Sequence, residues 1–181
     1  MLELKDATLT ADGRRLFTNL SLMAQDGQLT CITGPAGAGK TALLHVMLGF
    51  ATLDDGLVSV DGELLTPRSA PAFRRLMAYL PQRRPVTIEQ TEADTSGLET
   101  VWAPHNGRRY QLTPIDEHLD VPPAASKPIV IADDPDPSLL GMLKAAVAAG
   151  RTVVVASQAA DILAQSDKII TLGHHDDNLL L

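Results

Sequence analysis

The stretch GPAGAGKT, Gly34 to Thr41, has the spacing G-x-x-x-x-G-K-[ST]. Small residues at Gly34, Gly37, Ala38 and Gly39 allow successive backbone N–H groups to close around phosphate oxygens. The ammonium of Lys40 reaches terminal phosphates and the Thr41 hydroxyl is placed to ligate magnesium. Ala42 follows in the first turn of a helix, whose free N–H groups and positive dipole end favour an anion. The chemistry implied is the holding, or the splitting, of a nucleoside triphosphate.

A chance Gly/Ala turn would share the letters but not the flanks. QLTCIT before the loop is apolar and rich in β-branched residues, and KTALLHVMLGF after it repeats Leu43, Leu44, Met47 and Leu48 at helical intervals. Strand, glycine loop and helix is the order a phosphate cradle needs. Upstream, LELKDATLT and LSLMAQ read as short antiparallel strands, separated from each other and from QLTCIT by Asp12-Gly13 and Asp26-Gly27 turns. Downstream, GLVSVDGELL reads as a hairpin about Asp61-Gly62 and LMAYLP as a strand. KPIVIAD, TVVVAS and DKIITL are strands interleaved with the helical runs PSLLGMLKAAVAAG and AADILAQS. Such alternation predicts an α/β fold, a parallel sheet in right-handed crossovers with its ligand at the carboxyl ends of the strands. Residues 85–128 hold six prolines and little periodicity, and are expected to form an irregular insert with one or two short helices.

At 181 residues, 45% hydrophobic and 20% charged, the chain suffices for one well-buried domain, and residues 1–181 are read as one. No apolar run approaches the roughly 18 residues of a membrane span, and MLELKDATLT lacks the pattern of a signal peptide. A soluble cytoplasmic protein is expected. The only cysteine, Cys31, lies in the strand before the loop and reads as a small core residue. Residues 1–91 balance nine basic against nine acidic side chains, whereas 92–181 hold six against thirteen. A net charge of -7 argues against sequence-independent nucleic-acid binding. Arg74, Arg75, Arg83 and Arg84 bracket LMAYLPQ, either as a solvated surface or as a docking patch. The tail GHHDDNLLL, residues 173–181, pairs His with Asp at a chain end without helical spacing and reads as mobile.

These segments, in this order, resemble the nucleotide-binding subunit of ATP-binding cassette (ABC) transporters. The likeness implies a P-loop NTPase fold of ABC type, with an N-terminal antiparallel β subdomain, a mainly parallel central sheet and a helical insert, here reduced. GPAGAGKT is similar to the family's Walker A loop, LMAYLPQ to the strand ending in its magnesium- and phosphate-sensing glutamine, here Gln82, and PIVIADDP to the strand ending in its magnesium-steadying aspartate, here Asp133. TVVVASQAADILAQSDKIITL resembles the switch strand, its helix and the closing strand. ATP with Mg2+ is the implied ligand. A membrane permease, or a second ATP-binding subunit, is the implied partner, which would bring the chain to the inner face of the membrane.

The departures are as specific as the matches. Ala11 stands where the family has an aromatic residue on the adenine, a stack worth about 1 to 3 kcal/mol. No LSGGQ-type signature precedes the PIVIAD strand; SGLET at Ser96 to Thr100 is its only echo. Asp134 replaces the glutamate that polarises attacking water, and moving that carboxylate by about 1 Å costs on the order of a hundredfold in rate. Gln158 takes the place of the switch histidine, with an amide that donates a hydrogen bond but carries no titrating proton. Leu140 replaces a dimer-facing aspartate. The expected function is therefore ATP binding with weak or partner-dependent hydrolysis that powers transport, with Asp134 and Gln158 as its catalytic residues. A non-hydrolysing regulatory module is the alternative. A small-molecule P-loop kinase fits less well, since about thirty residues precede the loop. Read alone, Asp133 and Asp134 would also serve as the acidic start of a helix, and Gln82 as a loop residue beside Pro81.

Overall fold

The computed structural model describes residues 1–82 and 127–173. SGLET, Arg83, Arg84, most of the 85–128 insert and the tail beyond Gly173 lie outside them.

Strand β1 (Leu2–Ala11) turns through Asp12 and Gly13 into β2 (Arg14–Ala24). Both turn residues are left-handed, at φ 52° and 73°. That is the two-residue geometry whose twist matches antiparallel strands, and Asp-Gly is its preferred sequence. The tight turn starts β2 at Arg14, directly opposite Ala11, so the second strand begins six residues earlier than the LSLMAQ pattern alone suggests. A bulge near Asp6 (φ 50°), where the register passes from Leu4↔Leu22 to Ala7↔Leu20, resets the alternation. Leu2 and Leu4 before it, and Ala7 and Leu9 after it, consequently all face the core. Strand β4 (Asp55–Val60) pairs with β1, and β5 (Glu63–Leu64) with β4, giving a four-stranded antiparallel sheet in the order β2-β1-β4-β5.

The second sheet is parallel and five-stranded. It comprises β3 (Gln28–Thr33), β6 (Met77–Leu80), β7 (Ile129–Asp133), β8 (Thr152–Ala156) and β9 (Lys168–Thr171), ordered β6-β7-β8-β3-β9. All five residues of β7 and of β8 are buried, as continuous apolar strands covered on both faces should be. On one face Ile32, Ile131 and Val154 join the core shared with helix α1 (Lys40–Met47) and the antiparallel sheet. On the other, Leu29, Cys31, Val130, Val153 and Val155 pack with Leu143 and Ala146 of α3 (Leu140–Ala148) and Ile162 of α4 (Ala160–Ala164). Burial pushes the Cys31 thiol pKa up, in keeping with a core role. A short 3-10 turn at Pro137–Leu139 precedes α3. Helix α2 (Ala70–Arg74) has no counterpart in the periodicity, because five residues are too few to show one. Its start is set locally by Thr66 and Ser69, each of whose side chains accepts the other's backbone N–H, and by Pro71 in its first turn.

Candidate functional site

The carboxyl ends of β3, β6, β7 and β8 lie side by side, and every residue singled out for phosphate chemistry follows one of them. After β3 the chain enters the glycine loop. A Cβ on Gly34 (φ 144°) would sit 2.4 Å from the Leu172 carbonyl oxygen beyond β9, so only glycine fits between the loop and the closing strand. At the other end Gly39 (φ 90°) caps α1, and Ala38 is buried beneath the loop. The Lys40 ammonium lies across the loop, donating to the carbonyl oxygens of Gly34 at 2.7 Å and Pro35 at 2.8 Å.

Asp133 ends β7 and is 4% exposed. Its Oδ2 accepts a 2.8 Å hydrogen bond from Thr41 Oγ1 in the first turn of α1, so a hydroxyl and a carboxylate oxygen meet at the helix start. Among the described residues no three His, Cys, Asp or Glu side chains gather as a metal cage. One hydroxyl and one carboxylate suit magnesium, which keeps several waters and takes few protein oxygens beside those of phosphates. Burial pushes the nearby Tyr79 phenol pKa up, and the Asp133 charge pushes it in the same direction, so Tyr79 stays neutral.

Asp134 turns sharply at φ 44°, its N–H donating 2.7 Å to the Ala156 carbonyl of β8. That turn presents its carboxylate to Gln82, whose Nε2 donates to Oδ2 at 3.2 Å, and to the Ser157 hydroxyl at 3.5 Å from Oδ1. Gln158 Nε2 donates to the Gly34 carbonyl, the same oxygen that Lys40 uses. Thus Gln82 and Asp134 form one pair, Thr41 and Asp133 another, and Lys40 and Gln158 converge on the loop. Leu140 begins α3 and packs, half-buried, on the core under that helix. Beside the loop opens a cleft of about 460 Å³, floored by Gly37, Gly39, Lys40, Thr41 and Ala42 and walled by Ala11, Asp12, Arg14 and Leu16.

Comparison with known proteins agrees with this fold. The family model described as "ABC transporter" matches residues 17–166. The chain belongs to the ABC transporter family. It is 37% identical over 84 residues to the Fe(3+) ions import ATP-binding protein of Pectobacterium atrosepticum, covering 45% of this chain and 24% of that protein. It is 33% identical over 93 residues to the intermembrane phospholipid transport system ATP-binding protein of Escherichia coli, covering 51% and 33%. The chain thus spans about a quarter to a third of the length of these relatives. Among solved structures, a dimeric bacterial ABC transporter cassette matches with a TM-score of 0.68 at 20% identity, over 96% of this chain and 94% of the other. The ATP-binding cassette in a post-hydrolysis state bound to ADP and Pi matches at 0.65. These likenesses show the fold, a P-loop cassette with one parallel and one antiparallel sheet.

Two further residues, not carried by any motif, border the candidate site. Ser157, buried after β8, braces Asp134 and also accepts the Ala159 N–H at 3.1 Å. Arg14 lines the cleft, and the signal for it was present: a two-residue Asp-Gly turn after Ala11 places residue 14 directly across from residue 11. Phe17, the aromatic residue nearest to Ala11 in sequence, is 4% exposed and packs in the core.

Proposed function

We propose that residues 1–181 form a single ATP-binding domain. It holds a nucleoside triphosphate with magnesium on Gly34 to Ala42 and works with a membrane permease or a second ATP-binding subunit at the inner face of a membrane, hydrolysing weakly or only when partnered. The observation that carries the reading is the 2.8 Å meeting of Thr41 Oγ1 with Asp133 Oδ2 beside a lysine laid over the glycine loop. No helix among the described residues is long and apolar enough to cross a membrane, which accords with a separate membrane partner.

Lys40 exchanges the Gly34 and Pro35 carbonyls for phosphate oxygens, a charge-assisted bond in place of two neutral acceptors. Thr41 and Asp133 would hold the metal, whose positive charge offsets that of the phosphates. Asp134 orients a water and takes its proton, with Gln82 and Ser157 fixing the carboxylate. Gln158 donates a hydrogen bond toward the phosphate. The shorter Asp134 side chain is the reason a low unpartnered rate is expected.

Calorimetric titration with magnesium-ATP tests the proposal. Saturable binding that falls about a hundredfold or more in Lys40→Ala is expected, from the loss of a charge-assisted contact. Equal binding by both proteins, or by neither, would defeat it. Steady phosphate release with a permease present, abolished by Lys40→Ala, is the expected second result. Its absence would assign the domain to nucleotide holding alone.

A further inference from the structure

The cleft beside the glycine loop has two chemically different sides. Its floor is the phosphate cradle itself, whereas its wall belongs to the β1–β2 turn and contains Ala11, Asp12, Arg14 and Leu16. Whatever is esterified to a phosphate on the floor must lie against that wall. Among the described residues the wall carries no ring, and Phe17 is turned into the core. Ala11 offers a methyl group, and Leu16 is occupied against Gly39, whose Cβ position lies 3.0 Å from the leucine Cβ. Among the described residues of the wall, the planar group that carries positive charge is the Arg14 guanidinium, the Asp12 carboxylate being planar but anionic. A Cβ built on Gly37 would lie 3.8 Å from Arg14 Nη1, so the guanidinium borders the crest of the loop.

Arg14 is not an arbitrary surface arginine. It is the first residue of β2 and the cross-strand partner of Ala11, fixed there by the two-residue turn, so both side chains project from one face of the hairpin. The small Ala11 leaves room above that face. A guanidinium is planar, permanently charged and weakly hydrated, and it stacks on π faces as an ammonium does not.

We propose that Arg14 is the platform on which the base of the bound nucleotide stacks, so that the base is held by its π face at a wall without aromatic residues. The inference rests on the nucleotide-binding reading above, and the experiment separates the two. Wild type, Arg14→Ala and Arg14→Lys are each titrated with magnesium-ATP and with inorganic tripolyphosphate. Arg14→Ala should weaken ATP about tenfold and leave tripolyphosphate unchanged, and Arg14→Lys, which keeps the charge without the plane, should weaken ATP nearly as much. A ring across the strand, Ala11→Tyr in the Arg14→Ala background, should restore ATP affinity. Equal losses for both ligands, or full rescue by lysine, would make Arg14 a phosphate charge and overturn the proposal. Unchanged ATP affinity in Arg14→Ala would also overturn it while leaving the Lys40-dependent reading intact. Failure of wild type to bind ATP would overturn both.

Discussion

The half of the site that would hold phosphate and the half that would act on water are built from different materials. The first is backbone and buried side chain: Gly34 wedged against Leu172, Ala38 beneath the loop, Asp133 4% exposed. The second consists of the exposed Asp134, Gln82 and Gln158, held to one another and to the loop by single hydrogen bonds. A displacement of Gly34, Ala38 or Asp133 must move strands. One on the reacting side moves a rotamer, which costs on the order of a kcal/mol. Binding should therefore survive changes that abolish turnover.

Three substitutions probe that contrast. Gly34→Ala should have the largest effect: a Cβ 2.4 Å from a backbone oxygen forces β3 and β9 apart, at a cost of about 3 kcal/mol in folding, together with loss of ATP binding. Denaturant unfolding and titration measure both, and a wild-type midpoint with intact binding would show that the loop is not tied to the sheet. Asp134→Glu should raise phosphate release in the partnered state by up to about a hundredfold with nucleotide affinity changed less than about threefold. If affinity moves with rate, the two halves are not separable. Asp133→Asn stands on the border. It keeps an acceptor for Thr41 but removes the charge, so magnesium should strengthen ATP binding by about tenfold less than in wild type. Titration with and without magnesium reads this difference, and an undiminished metal effect would remove Asp133 from the site.

The same division governs what the amino-acid order discloses. QLTCIT, GPAGAGKT and KTALLHVM could be read because each carries its own period or turn chemistry. IVIAD and TVVVA could be read because burial on both faces gives an unbroken apolar run, with polar residues only at Asp133 and Thr152 at the strand ends. Helix α2 escaped notice because its start is a local Thr66–Ser69 exchange rather than a repeat. The register of β2 was implicit in Asp12-Gly13, but the charged pair Arg14-Arg15 masked it as loop. The meeting of Gln82 with Asp134, and of Gln158 with Gly34, depends on the lateral order β6-β7-β8-β3, which no window of sequence contains.

The cleft takes its floor from the glycine loop and α1, which follow β3 of the parallel sheet, and its wall from the β1–β2 hairpin of the antiparallel one. A nucleotide lying in it would thus be a further stitch between two layers joined by apolar packing and by the Lys168 Nζ bond to the Met23 carbonyl. Local opening of either layer then forfeits the ligand's grip on both, and fluctuations that were independent become cooperative. Occupancy would be felt in strands that never touch the nucleotide, so the bulged hairpin, peripheral by position, would become part of how this cassette responds to a ligand.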